Sequence, residues 1–111
     1  MAVTALAVQQ IGRAGITPAF TAANTDGHTI LNDGKTFLEV KNGSGAPIVV
    51  TIDTPQTVDG LAVAQRTVSV GATTGDVMIG PFTTDYNQPG TEYILVTFTG
   101  VGTVTCGAFR V

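Results

Sequence analysis

From Thr36 to Ile52 the chain reads TFLEVKNGSGAPIVVTI. Two runs of alternating apolar and polar side chains flank a stretch of Asn, Gly, Ser and Pro. Alternation with period two sends successive side chains to opposite faces of an extended strand. Leu38 and Val40 share one face and Glu39 and Lys41 the other; beyond the turn, Ile48, Val50 and Ile52 oppose Val49, Thr51 and Asp53. Residues 42–46 have the length and the glycines of a turn with a bulge, so the stretch is expected to fold as a β-hairpin.

The same grammar fills most of the chain. Short Thr- and Val-rich runs at residues 19–22, 28–31, 67–70, 76–79, 93–99 and 103–111 are separated by turns at 24–27, 32–34, 71–75 and 100–102. Asp-Gly pairs favour such turns because glycine accepts positive φ and aspartate bonds its own backbone. Residues 54–60 read as a polar connection, and 61–65 as either strand or one helical turn. Residues 83–92 form the longest loop, with Tyr86 at its centre as a contact residue.

About eight strands at this spacing, with no helical period, predict a single all-β sandwich. A jelly-roll-like arrangement comes first and an immunoglobulin-like one second, since the Cys–Trp–Cys signature of the latter is absent. Residues 1–17 differ, with Ala, Val and Gln in weak alternation and then Gly12 and Gly15. They are expected to form an extended N-terminal arm with an edge strand near residues 3–9. Such an arm, apolar and nearly uncharged, would dock on its own sandwich (residues 18–111) or on a neighbouring subunit.

Charge narrows the function. Charged residues are 12% of the chain and apolar ones 43%, which argues against disorder and for surface buried between subunits, or else for a surface dominated by threonine. Five Lys/Arg stand against eight Asp/Glu with no basic run, so the positive patch that nucleic acid requires is missing. Membrane association is not expected either, because no apolar stretch nears the roughly 18 residues of a span. Met1 to Gln10 lacks the basic and apolar regions of a secretory signal, and the chain is expected to work without a cleaved one. Cys106 is the single cysteine; it reads as a small buried hydrophobe, in keeping with a reducing cytoplasm.

Catalytic groupings are hard to assemble. His28 is the single histidine, too little for a triad or a zinc site, and is read as a solvated residue beside a turn. Asn24, Asp26, Asn32, Asp33, Asp53 and Asp59 offer oxygen atoms that calcium favours, but Asn, Asp and Gly are also what turns use. Glu39 and Glu92 read as solvated, and the glycines lack the partners of a phosphate loop. Arg13, Arg66 and Arg110 are scattered, each able to make an interface ion pair or an inconsequential surface one. No enzyme activity and no cofactor are expected.

Four stretches carry a family resemblance: MAVTALAVQQIGRAGITPAFTAAN at the start, DGKTFLEVKNGSGAPIVVTIDTP, VDGLAVAQRTVSV with GPF at 80–82, and the closing TVTCGAFRV. Together they resemble the capsid decoration, or cement, proteins of tailed bacteriophages. The resemblance implies a compact β-domain on the outside of the virion, assembled in the host bacterial cytoplasm. It also implies a homotrimer whose partner is the major capsid protein, and carries no catalytic residue. The expected contacts are Ala2, Val3, Thr4, Leu6, Val8, Gln10 and Arg13 of the arm, with Tyr86 of the long loop. Removing residues 2–12 should abolish shell binding and leave a folded domain. Alternatives are another virion part, such as a tail or head–tail connector subunit, and a β-sandwich carbohydrate-binding or adhesion module.

Overall fold

The computed structural model describes residues 3–111. In chain order its strands are β1 (Thr4–Leu6), β2 (Val8–Gln10), β3 (Thr21–Ala22), β4 (His28–Leu31), β5 (Thr36–Asn42), β6 (Ile48–Ile52), β7 (Thr57–Val58), β8 (Leu61–Ala62), β9 (Arg66–Val70), β10 (Gly75–Ile79), β11 (Tyr93–Phe98) and β12 (Val104–Arg110). A short 3-10 turn at Thr84–Tyr86 precedes β11. One sheet runs β1-β4-β11-β6-β9; the other runs β10-β5-β12, with β2 and β3 sharing the far edge of β12. Most neighbours are antiparallel, but β1 pairs in parallel with β4 and β2 in parallel with β12. The chain is an all-β sandwich, as the alternation predicts.

The alternating faces become the core. Ile30, Val50, Ile52, Ile94 and Val96 of the first sheet are fully buried, as are Leu38, Val40, Cys106 and Ala108 of the second, and all join one apolar cluster. Each large aliphatic side chain so placed contributes about 1.5–3 kcal/mol relative to exposure. Between them, Glu39, Val49 and Thr51 turn outward and are half-buried.

The expected hairpin is not one. β5 pairs with β10 and β12, whereas β6 pairs with β9 and β11. The segment 43–47 is therefore an arch from one sheet to the other, and the two runs face each other across the core. Their inward sets, Leu38 and Val40 against Ile48, Val50 and Ile52, meet as opposing faces of a sandwich. Segments 71–74 and 99–103 make the same crossing beside it, and backbone bonds tie the three together. The Thr73 N–H donates to the Ser44 carbonyl (2.8 Å) and the Gly43 N–H to the Thr103 carbonyl (3.0 Å).

The arm is also part of the sandwich. β1 closes the edge of the first sheet and β2 extends the second, so residues 4–10 cross from sheet to sheet. Leu6 is buried in the core, and Val8 packs against it. From Ile11 to Ala19 the chain is exposed and without strand pairing. The expectation that residues 2–12 could be removed from an intact domain does not hold for the described part of that segment, because removal would uncover the edges of β4 and β12.

Candidate functional site

A broad concavity lies at the end of the sandwich away from the three arches. Its first wall is the small ribbon β7–β8, turned at Asp59 and Gly60, whose φ values of 54° and 76° are those of a two-residue hairpin turn. The ribbon's first strand falls in residues 54–60, expected to be a polar connection, and its second in 61–65, read as either strand or one helical turn. Val58 and Leu61 flank its tip and are 67% and 71% exposed. The opposite wall is the loop after β10, from Gly80 to Tyr86, with Met78 between the two walls. The groove enclosed has a volume of about 780 Å³ and is lined by Val58, Val63, Val68, Met78 and Phe82 with Thr54, Gln56, Arg66, Asp85 and Tyr86. Across Met78–Pro81 it meets a second, more apolar hollow of about 740 Å³, lined also by Phe37, Lys35 and Val111.

Polar side chains, Asn32 among them buried, set these walls. Asn32, at the end of β4, is buried; its Nδ2 donates to the Thr83 carbonyl (2.9 Å) and to Asn87 Oδ1 (2.8 Å), which holds the loop carrying Tyr86. Asp53 accepts from Gln65 Nε2 (2.8 Å) and Gln88 Nε2 (2.7 Å), joining the segment after β6 to the segment before β11. Phe82 is buried beneath Tyr86, the rings meeting edge to face at 5.6 Å. The Tyr86 hydroxyl accepts from Arg66 Nε (2.8 Å), a bond that holds the guanidinium proton more firmly than usual.

The expected contact residues fall in different surroundings. Ala2 lies outside the described residues. Val3 is 42% exposed and adjoins β1. Thr4 is bound to His28, Leu6 is in the core and Val8 packs against it. Leu6 is thus a core residue and presents no contact surface. Gln10 accepts a hydrogen bond from Arg110, and Arg13 is exposed. Tyr86, half-buried in the groove wall, is not close in the chain to any of them. The sequence reading passed over the ribbon tip, although Val-Asp-Gly-Leu at 58–61 is the Asp-Gly hairpin signal. It also passed over Met78, which is 66% exposed on an edge strand.

His28 corrects the expectation of a solvated ring: it is 2% exposed. Burial pushes its pKa below 6.5, against smaller upward pulls from the Thr4 and Ala22 backbone. The Glu39 carboxyl is raised by partial burial and by Asp76 alongside. Asp33 is held below the ordinary carboxylate value, first by the Lys35 N–H and then by Arg110 and Thr36. Cys106 is fully buried, and desolvation pushes its thiol up to about 11, far from a reactive thiolate.

Among the described residues, no three His, Cys, Asp or Glu side chains are grouped to hold a metal ion. None of the described helices is long and apolar enough to cross a membrane. What the surface offers is shape and apolar area: a ribbon tip, a methionine on a sheet edge and two adjoining hollows. Compared with protein-family models, curated proteins and solved structures, the chain matches none.

Proposed function

We propose that this chain is a structural virion protein that binds the outside of a bacteriophage capsid and stabilises the assembled shell, acting as a homotrimer on the major capsid protein. The supporting observation is the exposed apolar surface at the groove end. Val58, Leu61 and Met78 stand 66–71% exposed, on a domain whose own core is already complete. Apolar side chains held out by a rigid scaffold gain free energy when a partner covers them, about 1.5–3 kcal/mol for each fully buried. Three copies in one trimer make successive contacts at high effective concentration, so modest single contacts add to firm attachment. Binding the assembled shell in preference to its free subunits raises shell stability by linkage. The resemblance of the four sequence stretches to decoration proteins supports the same reading.

The test is co-sedimentation of the purified chain with assembled, expanded shells and, separately, with dissociated capsid subunits. Retention by shells alone is expected. Replacing Val58 and Leu61 together by Asp is expected to weaken retention roughly hundredfold, the loss of two apolar burials. Failure to bind shells, or equal binding to free subunits, would overturn the proposal.

A further inference from the structure

The hydrogen bonds around His28 admit one protonation state of its ring. The Asn24 backbone N–H points at Nε2 across 3.1 Å; an amide N–H only donates, so Nε2 is the unprotonated nitrogen. The proton of the neutral ring therefore sits on Nδ1, 3.0 Å from the Thr4 hydroxyl oxygen. Asn24 Nδ2 donates to that same oxygen across 3.2 Å. One imidazole thus joins β1 to the turn that leads into β4. The other attachments of β1 are short: three residues paired with β4, a Thr4 N–H bond to the Gly27 carbonyl at 3.3 Å, and the buried Leu6 side chain.

We infer that His28 is an acid-operated latch: a second proton on its ring releases β1 from β4 and opens that edge of the sheet. This goes beyond the proposed capsid role and does not depend on it. A proton on Nε2 would face the Asn24 N–H, donor against donor. The Ala22 backbone, which favours the charged ring, offers an acceptor. Reaching it requires the Asn24 N–H to move, and with it the turn that ends at Gly27, whose carbonyl holds Thr4. The Thr4 backbone favours the charged ring as well, but burial of the ring outweighs both. Thr4 faces the ring from β1, Phe98 meets it edge to face at 6.0 Å from β11, and Asn24 bounds it on the connecting segment. Asp26, the carboxylate of that turn, has its backbone N–H on Asn24 Oδ1 (3.0 Å).

The sign follows from linkage. An opened ring takes its proton near the ordinary 6.5, whereas the latched ring resists until lower pH. The latched form is therefore fully favoured above pH 6.5 and loses its advantage as pH falls from there to the latched midpoint. Across that window the opening constant rises by up to about tenfold per pH unit, and below it no further.

Residue-resolved hydrogen exchange on the full chain, at about pH 7.5 and about pH 5 with intrinsic rates corrected, reads the opening directly. Amides of residues 4–6 are expected to lose protection in acid, by no more than about tenfold per pH unit below 6.5, while those of β6 and β11 keep theirs. The His28→Gln variant retains an acceptor and a donor without a titrating proton, and its β1 protection should not change with pH. In the wild-type chain, NMR titration of the ring should give a midpoint below 6.5 that coincides with the loss of β1 protection. Unchanged protection, an acid response that persists in His28→Gln, or separate midpoints for ring and strand would each overturn the latch. The last comparison needs no variant to fold.

Discussion

Asn42 closes two loops with one side chain. Fully buried at the end of β5, its Nδ2 donates to the carbonyls of Ala46 (2.9 Å) and Gly71 (3.1 Å), and its Oδ1 accepts from the Ser44 N–H (3.0 Å) and hydroxyl (2.7 Å). Replacing it by Ala removes these four hydrogen bonds to half-buried and exposed partners, each contributing about 0.5–1.5 kcal/mol. Asn42→Ala is expected to destabilise by roughly 3 kcal/mol in urea denaturation. Cys106 gives a pH-dependent prediction. Folded, it keeps its proton to about 11, against an ordinary value of 9.0. Its stabilising contribution is therefore complete below pH 9.0 and is lost as pH rises toward 11. Melting temperature should decline across that interval, and Cys106→Ala should remove this part of the decline. At neutral pH the native thiol should alkylate far more slowly than the unfolded one. The roles of Asn42 and His28 were not legible in the sequence, where one looks like an ordinary turn former and the other like a solvated ring. Which polar residues are buried depends on the pairing of distant strands, and period-two alternation does not encode partners.

Among elements, most strands were legible and their partners were not. The runs that became β4, β5, β6, β10, β11 and β12 stand out by alternation, because one face of each must enter the core. A five-residue connection suits a hairpin and an arch equally, however, and 43–47 proved to be an arch. The same limit applies to β1 and β2: the weak alternation indicates an edge strand near residues 3–9 on an arm, but not that two strands there close both sheets. Leu6→Ala is accordingly expected to cost about 2–4 kcal/mol, a core-sized loss, measurable by chemical denaturation. A loss below about 0.5 kcal/mol, as for surface sites, would return these residues to the status of a loose arm. The β7–β8 ribbon behaves in the opposite way. Its tip is exposed, so the Val58→Asp, Leu61→Asp double variant should keep folding stability within about 0.5 kcal/mol per site. That separates a binding defect from a folding defect in the shell experiment.

At the scale of the whole molecule, a chain with 12% charged residues has little means of steering partners electrostatically. If apolar cover drives assembly, light scattering should give three times the monomer mass of 11.3 kDa. The mass should hold as salt rises, since screening weakens charge pairs and leaves apolar contacts intact. The parallel pairing of β2 with β12 has a mechanical consequence as well. Residues 8–10 lie beside 108–110 and run in the same direction, so tension between residues 3 and 111, once it has drawn β1 off β4, pulls these strands past each other along their length. Their hydrogen bonds must then yield together, whereas strands peeled from one end give way one bond at a time. A subunit loaded through its two ends would resist force as a shear clamp, and β2, the shorter partner, would set the force at which it opens.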